Sequence, residues 1–174
     1  MNLESILTSD DIVETIRNNM DYLLLLIPEI KDMIGFDQHH PHHHLDVWEH
    51  TLYALSLSDN DFEIRLVLLL HDIGKPHSYI DTEVRHFPNH ANVSMEISKN
   101  ILNRLGYNQE FNNEVLYLIK EHDSPITIKE IQENYALAYK KYLVQYSDAL
   151  AHHPDKLEKR KEYLKRMRKM FDER

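Results

Sequence analysis

Six ionisable residues fall where helical periodicity calls for core: His50, His71, Asp72, His90, His122 and Asp148. His50 shares a stripe with Val47, Ala54 and Leu57 at helical spacing, so it points inward. Phe111, Val115, Leu118, Ile119 and His122 form a second stripe that ends on histidine. His90 opens a third, with Val93, Ile97 and Ile101, and Asp148 lies with Val144 and Ala151 in a tyrosine-rich helix. A single inward histidine is most often a hydrogen-bonded core residue; several such coincidences in one chain point to a shared site.

The sharpest signal is Arg65–Pro76, RLVLLLHDIGKP. Leu66 to Leu70 is apolar all round, which marks a helix buried on every side. It ends on His71-Asp72, with Gly74 expected as its C-cap and Pro76 as its stop. A carboxylate in a last turn faces the negative end of the helix dipole, and burial adds to the cost unless a partner neutralises it. A divalent cation resolves both problems, with an Asp72 ion pair to Lys75 or to a histidine as the alternative. Imidazole and carboxylate donors without sulfur suit one or two ions of Mn, Fe, Co, Ni, Zn or Mg, with open positions for water. His50, His71, Asp72 and Asp148 would hold one. His90 and His122 would complete a second with Asp72 bridging, or else hold substrate phosphate or protonate a leaving group.

The elements that must position these residues read as helices almost throughout. Helical patterns run from about Asp10 to Ile34 with a break at Pro28, then Val47 to Ser58, Asp61 to Asp72, His90 to Leu105, Gln109 to His122 and Thr127 to His152, ending in a basic helix from Pro154. Asp46 and Glu49 resemble a capping box, and Gly106 suits a left-handed C-cap. YIDTEVRHF suggests a small hairpin within 78–87. The expectation is an all-α single domain over 1–174: N-terminal helices over 1–34, a metal-site core over 44–152 and the basic helix over 154–174. Trp48, Leu52 and Leu55 read as core, and Tyr135, Tyr139, Tyr142 and Tyr146 as packing residues.

Composition narrows the chemistry further. The 174 residues include 20 Lys plus Arg, 29 Asp plus Glu and 13 His, for a net charge of −9. That balance argues against a nucleic-acid binder, although residues 154–174 carry +4 and leave −13 on the rest. The basic helix reads as a solvated face around the docking stripe Leu157, Leu164, Met167, Met170 and Phe171, with attraction of a phosphate-bearing substrate as the alternative. With no Cys there are no disulfides, thiolate sites or Cys nucleophiles, and three Gly cannot build a phosphate-binding glycine loop. The acidic N-terminus has no signal core, and the apolar run Leu23 to Ile27 is too short for a membrane span, so a cytoplasmic protein without membrane contacts is expected. The run His39 to His44 is internal and broken by Pro41, hence not a tag; most of it reads as loop near the site mouth.

The order His50, His71-Asp72, Asp148 resembles that of the HD superfamily of metal-dependent phosphohydrolases, and His90 with His122 resembles its six-ligand, two-metal variant. The stretches LLIPEIKDMIG, HHHLDVWEHTLYAL, LLLHDIGKP, RHFPNHA, LIKEHD and YSDALA are similar to the HD region of bacterial CCA-adding tRNA nucleotidyltransferases, from about 24 to 151. No nucleotidyltransferase head precedes them, so a stand-alone HD domain of six or seven helices is expected and CCA addition is not. The resemblance implies hydrolysis of a phosphomonoester or phosphodiester, with a nucleotide or 2′,3′-cyclic nucleotide as the small phosphorylated substrate. Metal-activated water would attack phosphorus in line, and Asp72 would hold both metal and nucleophile. Lys75 would neutralise phosphate oxygens as a point charge, or instead bond the last helix carbonyls. His44, Arg85 and His86 are the further candidate substrate contacts. The competing reading is a catalytically silent HD module that senses a nucleotide or metal.

Overall fold

The computed structural model describes residues 1–40 and 44–173. Three short helices, α1 (Leu3–Leu7), α2 (Ile12–Asn18) and α3 (Met20–Leu26), lead through a 3-10 turn at Pro28–Met33 to α4 (Val47–Ser56) and α5 (Phe62–Leu70). A second 3-10 turn, Lys75–His77, precedes an antiparallel pair, β1 (Ile80–Asp81) and β2 (Arg85–His86). Then follow α6 (His90–Leu105), α7 (Gln109–Lys120), α8 (Ile128–Glu133), α9 (Tyr135–Leu150), a 3-10 turn at Pro154–Lys156 and α10 (Leu157–Asp172). The all-α expectation holds, with the small hairpin where its sequence placed it.

Helix α5 is the axis of the fold. Leu66 to Leu70 are all fully buried, and α1, α4, α7 and α9 pack around them. Burying an apolar side chain of this size contributes about 1.5–3 kcal/mol, which makes this one turn a large part of the core. Arg65 is buried too, because its guanidinium donates to the carbonyls of Leu7 (2.7 Å) and Ser9 (2.9 Å) at the open end of α1. Trp48, Leu52 and Leu55 on α4 belong to the same core, as expected.

Ten α-helices stand among the described residues where six or seven were expected, because polar caps break long periodic patterns. Asn19 ends α2 and opens α3, dividing the expected Asp10–Ile34 helix. Asn134 divides the Thr127–His152 pattern, its side chain capping α9 through Leu137 N at 3.1 Å. Helix α1 was not expected at all. At five residues it is too short for periodicity to register; its capping box from Asn2 and Ser5 holds it.

Two expected caps differ in detail. Asp46 does cap α4 through Glu49 N at 2.7 Å, but the Glu49 carboxylate pairs with Arg17 at 2.8 Å instead of closing the box. Gly106 is the left-handed C-cap of α6, with φ +80. Gly74 is not a left-handed cap: its φ is −82. A Cβ there would collide with Ser94 N and lie 2.8 Å from His90 O, so glycine is required by the close approach of α6. Gly74 N donates to Ser94 Oγ at 2.8 Å, which docks the first turns of α6 against the end of α5.

The basic helix α10 packs on α9. Leu164, Met167 and Phe171 are buried, and the rings of Tyr135, Tyr139 and Tyr142 surround Phe171 at 5.4–5.7 Å. These three tyrosines are packing residues, as expected; Tyr146 is more exposed. No described helix is long and apolar enough to cross a membrane.

Candidate metal centre

The six inward residues converge. His50 comes from α4, His71 and Asp72 from the turn after α5, His90 from the start of α6, His122 from the turn after α7 and Asp148 from the last turn of α9. His50 Nε2 lies 2.8 Å from Asp148 Oδ1 and 3.5 Å from Asp72 Oδ2. His71 Nε2 lies 3.1 and 3.3 Å from the same two oxygens. The other oxygen of Asp72, Oδ1, faces a second histidine pair, 3.4 Å from His90 Nε2 and 3.7 Å from His122 Nε2. Asp72 therefore stands between two groups of donors, each compact enough to hold an ion.

The outward ring nitrogens decide the chemistry of the inward ones. His50 Nδ1 lies 3.3 Å from Ala151 O, His71 Nδ1 2.6 Å from Leu68 O, His90 Nδ1 3.0 Å from Phe87 O and His122 Nδ1 2.6 Å from Ile119 O. A carbonyl oxygen only accepts, so each Nδ1 carries the proton. In a neutral ring, Nε2 is then a lone pair. Four such lone pairs face each other and two carboxylates: His90 Nε2 and His122 Nε2 are 3.2 Å apart. Acceptors packed against acceptors need protons or a cation between them, and a backbone-anchored Nδ1 is how metal-binding histidines are held. The donor set fits a divalent metal.

Electrostatics agree. Burial disfavours the His71 imidazolium, yet the Asp72 and Asp148 carboxylates hold its pKa well above the ordinary value. Burial likewise opposes charge on both carboxylates, but His71 with Lys75 keeps Asp72 well below its usual range, and His71 with His50 does the same for Asp148. His122 is pushed down by burial, the neighbouring Asp123 opposing. The cluster thus keeps its carboxylates ionised by protonating a histidine that a metal would use as a ligand.

The family follows from this order of donors along the chain. The family model named HD domain matches residues 42–168. The chain belongs to the HD domain family. This HD domain is 39% identical over 89 residues to an A-adding tRNA nucleotidyltransferase of Deinococcus radiodurans, covering 47% of this chain and 20% of that protein. It is 36% identical over 104 residues to a CC-adding tRNA nucleotidyltransferase of Thermus thermophilus, covering 55% and 24%. A multifunctional CCA protein of Halorhodospira halophila is 33% identical over 87 residues, covering 48% and 21%. The HD domain therefore spans less than a quarter of the length of these relatives.

Lys75 is buried, and its ammonium lies 3.3 Å from Asp72 Oδ2, donates to Gln38 Oε1 at 2.7 Å and sits over the Phe87 ring. It serves the carboxylate and not the carbonyls at the end of α5. Arg85 is engaged elsewhere: its guanidinium pairs with Asp81, donates to Asp37 O at 2.8 Å and lies against the rings of Phe36 and Tyr79. His86 is exposed, edge-on to His40, and His44 is exposed, edge-on to His153. Among the described residues, no hydrogen bond, ion pair or ring contact joins these three to Asp72. His42 and His43 lie outside the described residues.

Several residues at the site escaped sequence reasoning. Asp123 places its carboxylate 3.1 Å from His90 Nε2 and 3.2 Å from His122 Nε2. A second His-Asp dipeptide at the end of an apolar stripe, echoing His71-Asp72, was its available signal. Gln145 Nε2 donates to His122 O (3.2 Å) and Ser124 O (2.7 Å), and Tyr163 OH donates to Gln145 Oε1 at 2.8 Å. This line of hydrogen bonds runs from α10 through α9 to the turn that carries His122. Buried Lys141 fixes the far side of that turn through Ser124 Oγ and Glu130, both at 2.8 Å. A cavity of about 420 Å³ opens beside His122, Asp123 and Asp148, and Lys156, Lys159, Arg160 and Tyr163 of the α10 side line it too.

Proposed function

We propose that this HD domain is a metal-dependent phosphohydrolase that cleaves a phosphomonoester or phosphodiester, with a nucleotide or 2′,3′-cyclic nucleotide as substrate. The observation that carries the reading is the bridging position of Asp72 between His50, His71 and Asp148 on one side and His90 and His122 on the other. When bound, a divalent ion supplies Lewis acidity and neutralises charge on a phosphate group. His50, His71, Asp72 and Asp148 would hold one ion, and Asp72, His90 and His122 a second. That the Deinococcus and Thermus relatives are named tRNA nucleotidyltransferases supports a nucleotide as substrate.

The chain's own residues have distinct tasks in this reading. Asp72, kept ionised by His71 and Lys75, orients the attacking water by accepting its proton in a hydrogen bond. Lys75 holds that carboxylate in place and presents a point charge toward phosphate oxygens at the same site. Water adds to phosphorus as the bond to the leaving oxygen breaks, and the leaving oxygen takes up a proton. The full chain, supplied with Mn or Mg and assayed against cyclic and linear nucleotides, is expected to release alcohol or phosphate. Asp72→Ala is expected to lose that activity by a thousandfold or more; full activity in Asp72→Ala would assign the hydrolysis to another site or a contaminant.

A further inference from the structure

The cavity beside Asp148 has two unlike walls. One is formed by the donors His122, Asp123 and Asp148, the other by the cationic first turns of α10. Lys156 and Arg160 are half-buried there, and Lys159 is exposed. Among the described residues, none of the three has an ion-pair partner, and of the cations without one (Lys31, Lys99, Lys120, Lys165 and Arg166 are others) these three line the cavity together with His122, Asp123 and Asp148. Three cations gathered along one cavity give it a positive potential that favours a ligand of opposite charge.

The position of these cations matters as much as their charge. Tyr163 follows them one turn later, and its hydroxyl is tied through Gln145 to the His122 turn, so the wall is held at a set distance from the donors. A phosphate group lying on the histidine and aspartate donors would be held by metal there, and the cations of α10 would remain free for a further anionic group.

We propose that Lys156, Lys159 and Arg160 bind a second phosphate of the substrate, so that the substrate belongs to the compounds carrying two or more phosphates on one small molecule. The inference rests on the phosphohydrolase reading for which phosphate reacts, but not for the existence of the anion site. A cavity of this size takes a nucleotide-sized ligand. The strongly negative body that surrounds it favours a small polyanion over a nucleic-acid backbone, which would have to lie along acidic surface.

The test uses ligands that cannot be hydrolysed. Methylenediphosphonate and methylphosphonate are titrated calorimetrically into the full chain, with Mg and without it, at fixed ionic strength. The wild type is expected to bind methylenediphosphonate at least tenfold more tightly than methylphosphonate. Lys159→Gln with Arg160→Gln is expected to remove most of that preference while changing methylphosphonate binding less than threefold. Lys161→Gln with Lys165→Gln removes the same charge from exposed positions on the same helix and is expected to keep the preference. Equal loss in both double variants would mean a general field and overturn the proposal, as would a wild type that does not distinguish the two ligands. Tight binding of a single-stranded RNA oligomer without a diphosphonate preference would also overturn it, in favour of a nucleic acid. A retained preference in a protein that hydrolyses no phosphoester would sink the phosphohydrolase reading and leave the anion site standing.

Discussion

His90 Nε2 and His122 Nε2 lie 3.2 Å apart while both rings have their Nδ1 against a backbone carbonyl. Neither ring can rotate its proton to the inside without abandoning a buried carbonyl. The same constraint holds at His50 and His71, so with neutral rings all four Nε2 atoms face the two carboxylates as acceptors, with the Lys75 ammonium beside Asp72. Folding α4, α5, α6, α7 and α9 around one point therefore assembles a site whose unfavourable charge pattern is relieved by a cation.

Metal-free protein is expected to lose stability as pH rises. The pKa of His71 is raised in the fold, so its contribution is fully present below the unfolded value of about 6.5 and disappears as pH climbs through the raised value. Bound metal replaces the proton, so binding should release protons and its stabilising effect should grow with pH. Melting temperatures with metal and with chelator, measured from pH 6 to 9, should diverge toward alkaline pH; parallel curves would contradict this.

His152 acts in the acid range. Its ring packs edge-on to His50, its Nδ1 donates to Asp148 O at 2.7 Å, and burial lowers its pKa to about 4. The neutral ring therefore contributes stability that is present above about 6.5 and lost as pH falls toward 4, up to about 3 kcal/mol. Denaturant unfolding of the wild type and His152→Gln at pH 7 and pH 5 checks this. The pH-dependent difference should shrink in the variant.

Much of this centre was legible along the chain, for a physical reason. His50, His90, His122 and Asp148 interrupt apolar stripes, and Asp72 sits where a helix dipole and burial both penalise a carboxylate, so each violates a local rule that only a site explains. Asp123 left only its place directly after His122 as a signal, and Gln145, Lys156, Lys159 and Arg160 violate no such rule. Their part depends on how α10 lies on α9 and α9 on the turn after α7, which are packing relations between residues tens of positions apart. Gly74 was legible as a special position but for another reason: its place suggested a helix C-cap, whereas the approach of α6 requires the missing side chain.

That approach yields a further prediction. Gly74→Ala would drive a methyl group into Ser94 N and His90 O, which must move apart. Overpacking of this kind costs about 1–3 kcal/mol, and the displaced element carries His90. The variant is expected to melt lower and to bind less metal than the wild type, whereas Gly106→Asn, at a solvent-facing cap, should keep its metal.

The Gln145 relay should act on metal binding without touching the ion. Gln145→Leu removes the donor to His122 O and Ser124 O and the acceptor for Tyr163 OH. Supporting interactions of this type change metal affinity by about 10–100-fold. Competition with a chelator of known affinity measures it, and Gln145→Glu, which keeps an acceptor for Tyr163, should lose the donor function alone.

The central claim is that Asp72 joins two groups of donors into one metal centre. Elemental analysis of the full chain, prepared without a nickel column and compared with Asp72→Ala and His122→Gln, tests it most directly. The wild type is expected to carry about two divalent ions per chain, His122→Gln about one and Asp72→Ala almost none. Asp72→Ala retaining the metal content of the wild type would contradict it.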